Sequence, residues 1–315
     1  MRFGERTRPA VRGLAVALGM GLSVVLGVAS APAYQEVSVA DGGTITGKVS
    51  LKGERPTPRG FNLVAFPDPV YCGRISNGNG WRLLPEFTVA EDHGVKEVVV
   101  ILTGVEKGKP FTFQGPQIEA RDCRFKPFVS VVRDHHNVSV VNMDPVMHDI
   151  QAYETSELGP RVLFNIPLPM NPHHPKTAGT DAEYHKHIPG HPVTEVITMT
   201  KGRRIFVMQC GFHAYMESWG IAVDNPYYVL TDESGKFTIG DIPPGKYKLV
   251  VWHQQERSIV EQEVTIPAKG SVTANFEIEP RRGERAGMDV VENPRVGLGY
   301  LGGRTILPTL ELQKP

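Results

Sequence analysis

The sequence is poor in cysteine, has no excess of either charge, and contains one long hydrophobic run. Three cysteines in 315 residues are too few for a small disulfide-stapled scaffold, a zinc ribbon or a cysteine-ligated iron–sulfur cluster. Lys and Arg together number 34, as do Asp and Glu, so the basic surface of a nucleic-acid-binding protein is not expected. The lack of further long apolar runs and of a sustained helical period excludes a helical membrane bundle and a coiled coil.

Glycine and proline are abundant, with 33 and 26 residues respectively, and this turn-rich composition favours many short strands over long helices. Hydrophobic residues make up 40% of the chain, which is enough for a core, and the length is typical of about two domains. Short alternating or β-branched segments, each closed by a turn residue, predict an all-β fold of β-sandwiches. The clearest of them are residues 44–51, 96–103, 137–141, 193–199 and 204–208.

The N-terminus has the composition of a secretory signal peptide. Four arginines in the first twelve residues precede an apolar segment over residues 13–28, and small residues follow up to Ala33. We predict cleavage after Ala33; the alternative is an uncleaved anchor, although the segment is short for a membrane span. Without the four arginines and the one glutamate of residues 1–33, the mature chain has 30 basic and 33 acidic residues. The prediction is an exported protein, periplasmic or secreted, with no membrane span after cleavage, in a compartment that permits disulfides.

Side chains that can hold a metal ion follow two of the predicted strands. His148 comes after the strand at 137–142, and Cys210, His213 and Met216 share one loop directly after the strand at 204–209. A thiolate and two imidazoles can form a trigonal plane with a thioether as weak axial donor, which is the ligand set of mononuclear blue copper. Two alternatives remain: a buried free cysteine beside packing His and Met side chains, and zinc, which prefers carboxylate to thioether.

The order of these residues, and the segment VSVVNMDPVMHDI that carries His148, resemble the cupredoxins. The two-residue gaps on either side of His213 are most similar to the short ligand loop of amicyanin. The resemblance implies a Greek-key β-sandwich over residues 90–225 that holds one type 1 copper ion. His148, Cys210 and His213 would be its equatorial ligands, Met216 would be axial, and His213 would offer an exposed edge through which electrons leave.

Asp149, which follows His148, and three aromatic residues in or beside the ligand loop bear on the properties of this site. Cupredoxins often have asparagine directly after the first histidine, where it braces the cysteine loop, but this chain has Asp149. Phe212, Tyr215 and Trp219 cluster around the loop in sequence. They would form an apolar docking face for a redox partner, or Trp219 would instead pack at a domain junction.

The other two cysteines, Cys72 and Cys123, are predicted to form a disulfide. Their pairing leaves Cys210 as the single thiolate that a blue-copper site needs, whereas a bond between Cys210 and either of them would remove the site. The alternative is two separate buried thiols.

The C-terminal part of the chain resembles another family. The segment TDESGKFTIGDIPPGKYKLVVWH within residues 226–280 is similar to the carboxypeptidase regulatory-like domain, a transthyretin-like β-sandwich that is usually non-catalytic. The segment GTITGKVSLKGERP has the same character. It contributes a strand to that sandwich, or it belongs to an N-terminal β extension, residues 34–89, of the copper domain. Residues 281–315 are predicted to be a tail that is ordered only if it packs on something, such as another subunit.

A long loop over residues 167–192 is rich in proline and histidine and has no periodicity, which is typical of functional loops. Its histidines are His173, His174, His185, His187 and His191. A single H-x-H is present, whereas multicopper oxidases need several, so an oxygen-reducing enzyme is not expected. The histidines are predicted to be solvated; the alternative is a second metal site or a copper-loading loop.

These observations predict an exported blue-copper electron carrier that is not an enzyme. By the cupredoxin resemblance, its redox partner would be a cytochrome c or a periplasmic dehydrogenase. Two alternatives from other classes remain: copper trafficking or storage, and a structural or interaction module with a degenerate metal site.

Overall fold

The computed structural model describes residues 34–56, 58–74, 80–155, 160–175, 185–200, 204–255, 260–279, 288–292 and 304–308, the last two as backbone. The predicted signal peptide, residues 1–33, lies outside the described residues. Apart from a 3-10 turn at Leu63–Ala65 and one short helix, α1 (Pro69–Arg74), the regular elements of the described residues are strands. The fold is therefore all-β, as predicted from the sequence.

The first half of the strands are β1 (Gln35–Glu36), β2 (Gly43–Leu51), β3 (Gly60–Asn62), β4 (Trp81–Leu83), β5 (Val99–Thr103), β6 (Lys107–Gly108), β7 (Gln117–Ala120), β8 (Phe125–Lys126), β9 (Val129–Arg133), β10 (His136–Asn142), β11 (His148–Glu154) and β12 (Arg161–Leu168). The others are β13 (Val193–Ile197), β14 (Ile205–Gln209), β15 (Glu217–Val223), β16 (Tyr228–Leu230), β17 (Lys236–Ile242), β18 (Gly245–Trp252), β19 (Val260–Ile266), β20 (Ser271–Thr273), β21 (Phe276–Ile278), β22 (Met288–Glu292) and β23 (Arg304–Pro308).

The first sandwich consists of the sheets β12-β11-β14-β15-β9 and β13-β10-β7-β8. Strand β11 illustrates its construction, because alternate residues from His148 to Glu154 are buried and those between them are half-buried. This is the period of two expected for a strand with one face on a core. Ile118, Val140, Ile150 and Phe206 belong to the core between the two sheets.

The second sandwich consists of the sheets β16-β5-β18-β19 and β17-β2-β20, with β21 also paired to β2. Its core includes Ile45, Leu102, Phe237 and Leu249. Of the two alternatives for the segment around residues 44–51, the structure has the first: this segment is a central strand of the C-terminal sandwich. Strand β5 also pairs here, although it lies within the range 90–225. The division of the chain into domains stays a prediction.

A third apolar cluster joins the two sandwiches. It contains Val99 and Ile101 from β5, Val131 from β9 and Ile221 from β15. Both faces of β5 are thus buried, because Val100 and Leu102 point into the second sandwich. Trp219 packs against the same cluster. Its place is therefore the junction between the sandwiches.

The segment between β2 and β4 packs over the first sandwich. Phe61, Leu63, Tyr71 and Cys72 belong to the core of that sandwich, and we call residues 59–74 the cap. In the predicted tail, β22 and β23 pair with each other in antiparallel register. Among the described residues there is no helix long and apolar enough to cross a membrane.

Candidate metal centre

Three neighbouring strands of the first sandwich position the predicted ligands. His148 is the first residue of β11, Cys210 follows the last residue of β14, and Met216 precedes the first residue of β15. Since β14 lies between β11 and β15 and runs antiparallel to both, these positions meet at one end of the sheet. All four predicted ligands are at most 1% exposed: His148, Cys210, His213 and Met216.

The loop 210–216 is closed by its own backbone. The Cys210 N–H donates to the Met216 carbonyl oxygen at 3.1 Å, and the Met216 N–H donates to the His213 carbonyl oxygen at 2.7 Å. Directly outside the loop, Gln209 pairs with Glu217 in the sheet. The side chains of Cys210, His213 and Met216 are therefore attached to a short loop whose two ends are fixed by the sheet.

Three donor atoms converge at this end of the sandwich. His148 Nδ1 and His213 Nδ1 are 3.2 Å apart, and Cys210 Sγ lies 4.0 Å from the first and 3.6 Å from the second. The point equidistant from all three lies about 2.1 Å from each of them, within the ~2.0–2.3 Å that nitrogen and thiolate ligands keep from a first-row metal ion. The structure thus brings His148, Cys210 and His213 together as the sequence predicts, with Met216 buried on the same loop.

The second nitrogen of each imidazole fixes its tautomer. His148 Nε2 lies 3.0 Å from Asp144 Oδ2, and His213 Nε2 lies 3.1 Å from the Pro67 carbonyl oxygen. A carboxylate and a carbonyl only accept hydrogen bonds, so each Nε2 carries the proton. In the neutral rings, the two Nδ1 atoms therefore present lone pairs to each other across 3.2 Å. A metal cation satisfies such a donor set, and two imidazoles with one thiolate fit copper.

Burial determines the charge of the unligated centre. It raises the pKa of the Cys210 thiol to about 12. It also lowers the pKa of His213 to about 4, and charge repulsion from His148 adds to this effect. At neutral pH the thiol is thus protonated and the His213 imidazole is neutral, so formation of a metal–thiolate bond releases the Cys210 proton.

Asp144 is a buried acceptor that holds His148 in place. Its Oδ2 accepts from His148 Nε2 at 3.0 Å and from the Cys123 N–H at 2.8 Å. Its Oδ1 accepts from the Tyr71 hydroxyl at 3.0 Å and from the Asp122 N–H at 2.8 Å. Four donors around one fully buried side chain match the acceptor capacity of an ionised carboxylate. The orientation of the His148 ring is thereby linked to the cap and to the turn between β7 and β8.

Asp149 braces the ligand loop. Its Oδ1 accepts from the Gly211 N–H, and its Oδ2 accepts from Gln151 Nε2 at 2.8 Å. The carboxylate therefore makes the kind of loop contact that the cupredoxin resemblance assigns to asparagine. An asparagine in its place would retain the carbonyl oxygen that accepts from Gly211.

The cap covers His213, so the prediction that this histidine has an exposed edge is wrong. The ring is 0% exposed. Its Nε2 contacts the Pro67 carbonyl oxygen at 3.1 Å, Asp68 Oδ2 at 3.5 Å and Cys72 Sγ at 3.8 Å. Of the aromatic residues near the loop, Tyr215 is buried, whereas Phe212 is 42% exposed.

A disulfide attaches the cap to the first sandwich. The structure pairs Cys72 of α1 with Cys123, at a Cα–Cα distance of 5.7 Å, and leaves Cys210 free and buried. Cys123 lies in the turn between β7 and β8, beside Asp144. The disulfide therefore joins the segment that covers His213 to the turn that helps to hold His148.

A buried ionic cluster connects the ligand loop to the second sandwich. Arg59 of the cap contacts Glu86 and Glu217 through Nε and Nη2, each at 2.5 Å. Both carboxylates are at most 5% exposed, and burial raises the pKa of Glu217. Gln255, beyond the end of β18, donates to Glu86 Oε1 at 2.9 Å. Because Glu217 directly follows Met216, this chain of contacts ends at the metal centre.

His253, next to this cluster, makes the stability sensitive to acid. Burial lowers its pKa to about 3; Phe87 stacks on its ring at 4.2 Å, and its Nδ1 accepts from the Gln255 N–H. Because the pKa of the folded state lies below the unfolded value near 6.5, the stability that the neutral ring contributes is complete above pH 6.5. It is lost as the pH falls towards 3, by about 5 kcal/mol in all. We expect His253→Gln to show a shallower fall in unfolding free energy between pH 6.5 and 4 than the wild type, in denaturant titrations across that range. Parallel pH curves for the two proteins would contradict this.

Three contacts around the centre were not predicted from the sequence: Asp144, the Pro67 carbonyl and Arg59. Asp144 lies four residues before His148 in a Pro-containing loop, where a carboxylate is usually solvated. One feature of the sequence did indicate the position of the cap. The predicted pairing of Cys72 with Cys123 places the segment around residue 72 next to the copper domain.

The comparisons with known proteins give partial matches. The profile of polysaccharide lyase family 4, domain II, matches residues 215–274, and a comparison by sequence with curated proteins finds no match. Among solved structures, a purple cupredoxin from Nitrosopumilus maritimus is 17% identical, with a TM-score of 0.24 over 34% of this chain and 99% of its own. An auracyanin from Roseiflexus castenholzii is 12% identical, with a TM-score of 0.24 over 35% and 98%. A copper-containing nitrite reductase from Thermus scotoductus is 15% identical, with a TM-score of 0.24 over 37% and 24%. These scores are too low to establish a shared fold.

Proposed function

We propose that the chain is an exported cupredoxin-like protein that binds one copper ion through His148, Cys210, His213 and Met216 and transfers single electrons. The observation that supports this most directly is the triangle of His148 Nδ1, His213 Nδ1 and Cys210 Sγ, with edges of 3.2, 3.6 and 4.0 Å and both Nε2 protons directed away from it. A copper ion bound there would supply one-electron chemistry by alternating between its +1 and +2 states.

The residues of the chain contribute rigidity and exclusion of water. Asp144 and the Pro67 carbonyl hold the two imidazoles by their Nε2 atoms, and Asp149 holds the loop at Gly211. Ligands that keep one geometry in both oxidation states need little rearrangement on electron transfer. Since the cap covers His213, electrons leave by another path in this proposal. Phe212 and Met147, each next to a ligand in sequence and 42–43% exposed, mark the surface where a partner docks.

The partner in this proposal is a cytochrome c or a periplasmic dehydrogenase, and its encounter with the chain is small and transient. The C-terminal sandwich, proposed to be carboxypeptidase regulatory-like, serves as a spacer or docking module. It also supports the ligand loop through Gln255, Glu86 and Arg59.

Copper reconstitution of the full chain tests the proposal. We expect one tightly bound copper with an intense visible thiolate absorption band and a reversible one-electron wave, and Cys210→Ser should lack the band because it lacks the thiolate. Identical spectra for the wild type and Cys210→Ser would refute an electron-transfer copper site. Colourless Cu(I) binding that exchanges with a chelator would indicate copper trafficking or storage instead. The absence of stoichiometric metal in protein from its native compartment would indicate a structural module.

A further inference from the structure

The His-rich loop contains a second convergence of ligand atoms. His173 and His191 are exposed as predicted, but the prediction that the histidines of this loop are solvated is wrong for His174, which is 2% exposed, and for His187. His185 and His187 approach Asp122, which lies in the turn between β7 and β8. The His187 side chain is 1% exposed and that of Asp122 is 15% exposed, while His185 is half exposed at 52%. These three residues thus form a partly buried group that is open to solvent on the His185 side.

The distances in this group are compatible with three ligands around one ion, since the three ligand atoms lie within 4.8 Å of one another. Asp122 Oδ1 lies 2.7 Å from His187 Nε2 and 3.0 Å from His185 Nδ1. For metal–ligand bonds of about 2.0–2.2 Å, these separations correspond to ligand–metal–ligand angles of roughly 75–95°. Such angles are closer to a tetragonal site than to a tetrahedral one, and tetragonal sites with nitrogen and oxygen ligands are typical of Cu(II) or Ni(II).

The hydrogen-bond partners of His187 are compatible with a bound cation. Both ring nitrogens of His187 face acceptors, because its Nδ1 lies 3.3 Å from the Met143 carbonyl oxygen and its Nε2 faces the Asp122 carboxylate. A neutral imidazole has one N–H. If Nδ1 donates to Met143, the Nε2 lone pair faces Asp122 Oδ1 at 2.7 Å, and this contact needs either a second proton or a metal ion.

We propose that Asp122, His185 and His187 bind a second copper ion as Cu(II), with open positions taken by water. Copper is favoured because Cu²⁺ has the highest affinity among the divalent first-row ions for a given nitrogen and oxygen site. Both histidines approach Asp122 Oδ1, which is therefore the ligating oxygen, while Lys126 Nζ lies 3.5 Å from Oδ2. This site does not depend on the function proposed for Cys210, because it shares no ligand with the first centre.

The two centres are connected through Asp144. The Asp122 N–H donates to Asp144 Oδ1 at 2.8 Å, while Asp144 Oδ2 accepts from His148 Nε2 at 3.0 Å. One buried carboxylate thus bridges the backbone of the second site and a ligand of the first. The second site is the more accessible of the two, since His185 is half exposed and the ligands of the first centre are buried.

A Cu(II) titration of the full chain, followed by optical absorption and EPR, tests the second site. After the first equivalent fills the thiolate centre, we expect a second equivalent to give an axial EPR signal with wide copper hyperfine splitting and no intense visible band. His187→Gln and His185→Gln should each weaken the second equivalent by at least about tenfold, since each removes one of three protein ligands. The absorption band of the first equivalent should be retained, which also reports that each variant is folded.

His173→Gln is the matched control, because His173 lies in the same loop and is exposed. It should leave both equivalents unchanged. Cys210→Ser should lose the intense band and keep the second signal, so failure of the first site is distinguishable from failure of the second. Two results would overturn the second site: no second equivalent in the wild type, as expected for an imidazolium–carboxylate pair alone, or a second equivalent that His187→Gln leaves unchanged.

Discussion

Asp144→Asn is expected to weaken copper binding by about 10–100-fold, the range for loss of a hydrogen-bond partner of a ligating histidine. The fully buried carboxylate accepts four hydrogen bonds, including one from His148 Nε2. An amide places an N–H₂ group where two of these donors point. Two donors then lose their acceptor. With the N–H₂ group in the place of Oδ2, these include His148 Nε2, whose contact keeps the Nδ1 lone pair directed at the metal centre.

The same substitution should lower the free energy of unfolding by about 3 kcal/mol, because hydrogen bonds to a charged group contribute about 1.5–3 kcal/mol each. Copper affinity is measured by competition with a chelator of known affinity, and stability by denaturant titration of the metal-free protein. Nitrogen-15 NMR of metal-free protein gives the His148 tautomer, which should move away from Nε2–H. That readout separates positioning of the ring from a general loss of stability.

Asp149→Asn is the matched control for Asp144→Asn. Asp149 also lies beside His148, but an amide there keeps the oxygen that accepts from the Gly211 N–H. We expect a change in copper affinity of less than about threefold, equivalent to about 0.6 kcal/mol. If Asp144→Asn bound copper as tightly as Asp149→Asn, Asp144 would have no part in positioning His148.

Arg59→Met is expected to lower the free energy of unfolding by about 3–5 kcal/mol at pH 7, the cost of leaving buried charges without their partner. The guanidinium contacts both Glu86 and Glu217 at 2.5 Å, so its removal leaves two buried carboxylates facing each other. Burial already raises the pKa of Glu217 with Arg59 present, and loss of the arginine raises it further. The folded state then takes up a proton more readily than the unfolded state, so the variant should regain stability as the pH falls from 7 towards 5.

Arg55→Met is the control, since Arg55 is exposed and contacts the Ala90 carbonyl oxygen; it should change stability by less than about 0.5 kcal/mol. The triple variant Arg59→Met/Glu86→Gln/Glu217→Gln should recover much of the loss, because it removes the uncompensated charges as well. Equal stability of Arg59→Met and wild type at pH 7, with no pH dependence of the difference, would show that the cluster contributes little.

The sequence predicted individual strands well and their partners poorly. Alternation in residues 137–141 and the β-branched run at 98–102 indicated strands, because a strand buries alternate residues or, when central, both faces. A run that is apolar on both faces does not specify which core each face contacts. Strand β5 belongs to the second sandwich, although it lies within residues 90–225, the range predicted for the copper domain. The parallel pairing of β2 with β20 joins residues more than 200 positions apart, and no local pattern encodes such a partner.

For the metal centre, the sequence predicted the metal ligands but not the residues that hold these ligands in place. Cys210, His213 and Met216 share one short loop, so their proximity follows from spacing alone. His148 was predicted to follow the strand at 137–142, whereas in the structure it begins β11, a separate strand of the other sheet. The burial of His213 was missed, because the cap that covers it has no periodicity and only Cys72 signals its position. A single sequence gives no indication of the role of Asp144, since its four donors come from three separate parts of the chain: Tyr71, the turn with Asp122 and Cys123, and His148.

The position of β2 affects how the molecule can be dissected. Its residues come from near the start of the described part of the chain, yet β2 is central in a sheet whose other strands lie between residues 236 and 278. Residues 226–280 expressed as a fragment would expose the apolar side of a sheet without its middle strand, so the C-terminal sandwich is not an excisable module. An N-terminal truncation that removes residues 43–51 would take the central strand out of the C-terminal sandwich. Through Gln255, Glu86 and Arg59, this loss would also affect the ligand loop.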